Sequence, residues 1–290
     1  MKNKNISIII LTHNSYDTKA GAVEFVITAY LHQLVPPCQI IVVDNGSDEI
    51  NQAQLRAFCA DKHLVQVLTT NQTIGGARNY GAQFATGKYI LFNDDDTIPL
   101  QNDVIERLER AVSTGGYGYG ANRLWSPDLA WVSRNRDLMM SSIKTGNMAH
   151  LKSFGCIPEP SIRDKSQNAL KILLKSFIGN FGLISKADFD SIGGFPEYPG
   201  YACEDDAFAF LCYIKLGMPV VFDDIELLHI THPISEKSYE QATKNQQRLQ
   251  KLLEENGCSE FHISRILFKS SQPVLKRIEA THGTQTNSNK

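Results

Sequence analysis

Three consecutive carboxylates, Asp94, Asp95 and Asp96, close the apolar run Tyr89-Ile90-Leu91-Phe92 and its single following Asn93. A run of this composition is a buried strand, and charges at its end are costly unless a positive group or solvent meets them. Side chains alternate along a strand, so Asp94 and Asp96 are expected to point one way and Asp95 the other, converging two hard oxygen donors on one point. Mg2+ or Mn2+ suits such a pair, because it takes one or two protein carboxylates and fills its remaining positions with water and phosphate oxygens. A solvated acidic turn explains the same tripeptide, and the three residues alone leave both readings open.

Other residues with chemistry to offer lie at comparable breaks in the pattern. Glu204, Asp205 and Asp206 open a helix, where acidic residues serve either as catalytic carboxylates or simply as caps favoured by the helix dipole. His229 and His232 stand among apolar residues, as core histidines or as metal ligands. Gly75-Gly76 with Arg78 precedes a helix expected from Ala77 to Thr86, an arrangement that lets backbone and a guanidinium approach a diphosphate. An ordinary turn with a surface arginine fits there too. Thr12-His13-Asn14-Ser15 and Asp44-Asn45-Gly46-Ser47-Asp48 are polar clusters that each end a β-branched run.

The elements that must position these groups are legible from periodicity. Ile6–Leu11 and Gln39–Val43 read as strands covered on both faces, and Leu64–Leu68 as a third strand. Val23, Val26, Ile27, Tyr30, Leu31 and Leu34 recur at helical spacing before Pro36-Pro37; Leu55, Phe58 and Cys59 suggest a second helix, and Val104 to Val112 a third. Strand and helix alternate as in a parallel sheet with helices on both faces, whose ligands bind outside the carboxyl ends of the strands. The clusters at Thr12, Asp44 and Asp94 all fall at such ends, so the fold itself would bring them together.

From Gly115 to Ile178 periodicity is weak, apart from a helix expected near Asn168–Phe177, and a segment of this kind suits binding loops on an acceptor side. Pro219–Phe222 reads as a last strand, Ser235–Asn256 as a polar helix, and Ile263 to Ile278 as an amphipathic stretch for the domain, a partner or a membrane face. Ala280–Lys290 reads as a disordered tail.

Composition narrows the classes. With 290 residues, 42% of them hydrophobic, the chain can bury a full core without staples. Net charge −2 gives no electrostatic case for nucleic acid. The six cysteines contain no C-x-x-C pair, which argues against a zinc site or disulfide framework and favours a reducing compartment. Met1–Asn5 leads straight into the first strand without a secretory-signal pattern, and no apolar run reaches membrane-spanning length.

Ile6–Asn14, Val42-Val43-Asp44-Asn45-Gly46-Ser47, Gly76-Ala77-Arg78-Asn79-x-Gly81, Asp94-x-Asp96, Gly193-Gly194-Phe195 and Glu204-Asp205 occur in the order and approximate spacing of the family 2 glycosyltransferases, and the chain resembles that family from Ile6 to His232. The resemblance implies an α/β GT-A fold, with a nucleotide-sugar half over 1–114 and an acceptor half over 115–232; the helical patterns beyond it read as a C-terminal helical extension over 233–279. It implies an inverting transfer from a UDP-sugar to a carbohydrate or glycoconjugate hydroxyl, as in bacterial polysaccharide synthesis.

By the same resemblance, Asp205 with Glu204 is the catalytic pair. Thr12, Asn14, Asp44, Gly76, Arg78, Asp94 and Asp95 bind the donor. Asp96 and His229 hold Mn2+ or Mg2+, with Asp94 as a further ligand option. Asn93 stands where the family pattern has an apolar residue, and the Gln-x-x-Arg-Trp motif of polymerising synthases is absent. The expected setting is cytoplasmic, with peripheral membrane association, other nucleotide sugars and a homodimer left open. Two alternatives are a non-catalytic nucleotide-sugar-binding protein and a sugar-phosphate nucleotidyltransferase. The latter needs a basic glycine-rich loop after the first strand, which Thr12–Ser15 does not supply.

Overall fold

The computed structural model describes residues 5–112, 116–126, 128–147, 157–158, 180–200, 202–230 and 236–257. The first half alternates as the periodicity predicts: β1 (Ile6–Thr12), α1 (Ser15–Thr18), α2 (Ala22–Leu31), β2 (Gln39–Asn45), α3 (Glu49–Cys59), β3 (Val65–Thr70), α4 (Ile74–Gln83) and β4 (Tyr89–Asp94). There follow β5 (Thr97–Pro99), α5 (Val104–Val112), β6 (Gly118–Trp125), α6 (Leu129–Arg134), α7 (Arg136–Thr145) and β7 (Ile157–Pro158). The last elements are β8 (Phe181–Ser185), α8 (Lys186–Ile192), α9 (Glu204–Leu216), β9 (Val220–His229) and α10 (Glu236–Glu255).

The nine strands among the described residues join one sheet in the order β3-β2-β1-β4-β8-β6-β9-β5, with β7 beside β6. β3, β2, β1 and β4 are mutually parallel; β8 runs against β4 and β6, and β9 runs parallel to β6. Both faces are covered, which is why β1 and β2 read as continuous apolar runs. Ile6, Ile8 and Ile10 pack in the core that includes α2 and α5 residues, whereas Ile9 joins Ile41, Val43 and Phe92 in the core under α4, α8 and α9.

Three expectations are corrected. Helix α4 begins at Ile74 rather than Ala77, because Thr73 caps it by accepting the Gly76 amide at 3.0 Å. β9 does not stop at Phe222 but continues to His229, sustained by pairing with both β6 and β5. The weakly patterned middle contains β6, an interior strand. Glycine hid it: a Cβ on Gly118 would lie 2.3 Å from the Val220 carbonyl oxygen, and one on Gly120 2.8 Å from the Phe181 ring. The stretch expected as a helix at 168–177, the amphipathic stretch at 263–278, the tail and His232 lie outside the described residues.

Candidate active site at the carboxyl edge of the sheet

Parallel register sets Thr12 beside Asp44 and Leu11 beside Asp94, so the polar ends of β1, β2 and β4 share one edge. Asp44 is buried, and its Oδ1 accepts the Ser47 amide at 3.1 Å. Asn14 adopts a left-handed conformation; its Oδ1 accepts the Asp48 amide at 2.9 Å, and its own amide donates to Ser47 Oγ at 2.8 Å. Asn45 exchanges two hydrogen bonds with the Gln72 backbone, at 3.1 and 2.9 Å. The loops after β1, β2 and β3 are thereby stitched into one rim.

The three aspartates do not alternate as the strand rule predicts, because β4 ends at Asp94 and Asp95-Asp96 form a tight turn into β5. Asp94 turns to Arg78, at 2.9 Å. Asp95, fully buried, accepts the Thr12 hydroxyl at 2.6 Å and the Lys19 ammonium at 2.5 Å. Asp96 lies 3.1 Å from the same ammonium through Oδ2 and 3.5 Å from His229 Nε2 through Oδ1. His229 arrives through β9: Thr97 pairs with it in register, and the Ile230 amide donates to the Asp96 carbonyl at 2.8 Å.

Asn93 fastens this turn. Its Oδ1 accepts the buried Tyr30 hydroxyl at 2.7 Å, and its amide nitrogen donates to the carbonyls of Asp94 and Thr97, at 2.6 and 2.8 Å.

Helix α4 is a packing hub. A Cβ on Gly75 would sit 2.3 Å from the Pro196 carbonyl oxygen, and one on Gly76 3.3 Å from the Glu197 carboxyl carbon. The close approach that Gly75 permits is to the chain's own 195–197 segment, whereas Gly76 is met first by the Gln72 and Thr73 side chains. Asn79 clasps Phe195 by accepting its amide at 2.8 Å and donating to its carbonyl at 2.9 Å. The Phe195 ring stacks on Phe208 at 4.2 Å and meets Phe92 edge-on at 4.9 Å.

Arg78, 5% exposed, donates to Glu204 at 2.7 Å as well as to Asp94, and so joins the end of β4 to the start of α9. The sequence assigns this guanidinium to the donor; here it is turned to two carboxylates. Burial and the neighbouring Asp205 push the Glu204 carboxyl above its ordinary value, while Arg78 pulls it down.

Asp205 follows at the first turn of α9, partly exposed, with its Oδ1 accepting the Asp206 amide at 2.9 Å. The approach to it is strained, since Ala202 and Cys203 both have positive φ, 72° and 71°. Helix α10 holds this approach: its buried Asn245 donates to the carbonyls of Pro199 and Ala202, both at 3.0 Å. Nothing in sequence periodicity singled out Asn245 or Lys19.

Lys19 comes from the short segment between α1 and α2. Burial alone would depress its ammonium, but Asp95 and Asp96 outweigh that and hold it above the ordinary lysine value.

Among the described residues, no three histidine, cysteine or carboxylate side chains close into a complete metal cage. Asp96 and His229 still offer convergent oxygen and nitrogen donors that suit Mn2+ or Mg2+ with the rest of the shell left to ligand oxygens and water. The carboxylates of Asp94, Asp95, Asp96 and Glu204 gather around the cations of Lys19 and Arg78, with His229 beside Asp96.

A mostly parallel sheet with helices on both faces, ending in a carboxylate turn at the carboxyl edge, defines the GT-A class of fold. The chain belongs to glycosyl transferase family 2, whose model matches residues 7–193. It is similar in structure to TarS from S. aureus in complex with UDP-GlcNAc (TM-score 0.61, 15% identity, 91% of this chain and 70% of that one). It is also similar to the mannosyltransferase PcManGT from Pyrobaculum calidifontis in complex with GDP-Man and Mn2+ (TM-score 0.53, 15% identity, 81% and 59%).

Among sequence relatives, the succinoglycan biosynthesis protein ExoO of Rhizobium meliloti is 28% identical over 114 residues, 39% of this chain and 32% of that protein. An uncharacterized glycosyltransferase of Rickettsia bellii is 30% identical over 110 residues, 38% of this chain and 15% of that protein. The chain thus spans a third or less of the length of these relatives. No described helix is long and apolar enough to cross a membrane.

Proposed function

We propose that the chain is an inverting glycosyltransferase that moves a sugar from a nucleoside-diphosphate donor, UDP-linked in the first instance, to a hydroxyl of a carbohydrate or glycoconjugate acceptor. The observation that carries this reading is the Asp94–Arg78–Glu204 bridge, which brings the first turn of α9, and with it Asp205, to the carboxyl edge where Thr12, Asp44 and the aspartate turn meet. UDP-GlcNAc and UDP bound to TarS, and GDP-Man with Mn2+ bound to PcManGT, support a nucleotide-sugar donor. The name of ExoO supports a polysaccharide product.

In this reading Asp44, Thr12 and Asn14 line the nucleoside pocket, and Asp94 faces the sugar or ribose. A divalent ion held by Asp96 and His229 would supply Lewis-acid neutralisation of the leaving diphosphate. Asp205 accepts the proton of the acceptor hydroxyl as that oxygen bonds to the anomeric carbon. The bond from that carbon to the diphosphate oxygen breaks on the opposite face, and its electron pair leaves with UDP. No covalent enzyme intermediate is needed. Glu204, buried against Arg78, orients the first turn of α9 rather than exchanging the proton.

The test is calorimetric binding of UDP with and without Mn2+, followed by transfer assays of Asp205→Asn. Donor binding should persist in that variant while turnover falls by about 10²- to 10⁴-fold, the range for losing a general base. Full transfer by the variant would remove Asp205 from the role, and absence of nucleotide binding by the native chain would remove the function.

A further inference from the structure

Lys19 is no surface lysine. Its ammonium touches two carboxylates that are themselves almost fully buried, Asp95 at 2.5 Å and Asp96 at 3.1 Å. The segment that carries it is shaped for this placement. Ala20 and Gly21 are consecutively left-handed, with φ of 53° and 67°, a conformation that a non-glycine residue such as Ala20 adopts only at a cost. Arg136 fixes the bend by donating to the Ala20 carbonyl at 2.8 Å while pairing with Glu24. The Gly21 amide donates to the Ser15 carbonyl at 2.8 Å. Strain of this kind persists only when surrounding contacts over-determine it.

The consequence concerns Asp96, the carboxylate that the proposed function assigns to the divalent ion. One of its oxygens faces His229 and the other already carries a cation belonging to the protein. An ammonium and a divalent ion repel each other and want the same lone pairs.

We propose that Lys19 is the resident cation of the Asp95–Asp96 pair and competes with the divalent ion for Asp96, so that the ion binds weakly until a donor diphosphate offers the ammonium a new partner. This rests on the glycosyltransferase reading of Asp96. It makes Lys19 a positioning residue that couples entry of the ion to entry of the donor.

The experiment is titration of the full chain with Mn2+ alone, following the electron paramagnetic resonance signal of the free ion, and then with UDP present. Lys19→Met should bind Mn2+ about 10- to 100-fold more tightly than the native chain without nucleotide, the worth of one hydrogen bond to a charged group. UDP should tighten Mn2+ binding by a larger factor in the native chain than in the variant.

Because Lys19→Met leaves buried carboxylates short of a cation, the double variant Lys19→Met/Asp95→Asn, which removes one charge of each sign, serves where the single one does not fold. It should show the same gain. Asp96→Asn is the control. Mn2+ affinity unchanged or weaker in the Lys19 variants, with binding abolished by Asp96→Asn, would overturn the competition and leave the metal assignment standing. Binding insensitive to Asp96→Asn, or no binding in any of the proteins, would overturn both.

Discussion

Replacing Arg78 with Met tests whether this residue serves the donor or the fold. Its guanidinium is buried and makes two ion pairs, at 2.7 Å to Glu204 and 2.9 Å to Asp94. The partners are not equivalent. The Asp94 side chain is 31% exposed and water can solvate it, whereas that of Glu204 is 7% exposed and would be stranded. Removing one member of a buried pair costs about 3–5 kcal/mol. At about 2–4 °C per kcal/mol, this lowers the melting temperature by roughly 6–20 °C.

The cost should concentrate on Glu204. Arg78→Met/Glu204→Gln should therefore recover about half or more of the lost melting temperature, and Arg78→Met/Asp94→Asn clearly less.

The sign of the pH dependence follows. The Glu204 carboxyl already lies above its ordinary value, and losing Arg78, the group that pulls it down, raises it further. The native state then holds a proton that the unfolded chain releases, so stability of Arg78→Met should rise as pH falls from about 8 to 5.5. The assay is thermal unfolding followed by circular dichroism at several pH values. A melting temperature within about 2 °C of the native chain, coupled to weakened UDP binding, would refute the clamp and restore Arg78 to the donor.

Asn93→Leu, which installs the apolar residue of the family pattern, should cost about 2–4 kcal/mol in urea unfolding, because it strands the buried Tyr30 hydroxyl and two turn carbonyls. Asn245→Ala removes both hydrogen bonds that hold the 199–202 approach to α9. It should lower transfer about tenfold or more while UDP affinity stays within about twofold, since it misplaces Asp205 without touching the proposed nucleoside pocket. Burial pushes the Cys59 thiol up to about 11, so iodoacetamide at pH 8 should modify it about 10²-fold more slowly than an unhindered thiol, as read by peptide mass spectrometry.

What the sequence discloses here is whatever depends on local pattern. β1 and β2 are legible because burial on both faces makes them continuous runs, and the clustering of Thr12, Asp44 and Asp94 follows once the strands are parallel. The partner of Arg78 is not legible, since Glu204 is distant along the chain and an acidic triplet at a helix start has an adequate local explanation as a cap. β6 is hidden by glycines that look like breakers until Val220 and Phe181 are seen pressing on them. Lys19 sits in a segment with no pattern at all. Gly75-Gly76 shows a further limit: the pattern discloses a close approach of backbone, but not that Pro196 is the group that presses on Gly75.

The aspartate turn is therefore a joint as much as a site. Asp94 is tied through Arg78 to α9, Asp95 through Thr12 and Lys19 to β1 and the segment after α1, and Asp96 faces His229 on β9. Loss of function on changing any of the three to Asn would carry three different meanings. The Asp94 variant releases half of the Arg78 clamp and tilts the bridge to α9. The Asp95 variant removes a charge that Lys19 needs, from a side chain that is fully buried. Under the proposed function only the Asp96 variant reports on an ion, and only when Lys19 is accounted for, because the oxygen it loses was shared with that ammonium. A carboxylate pattern of this kind identifies where the charge lies; the cations already holding it decide what each position does.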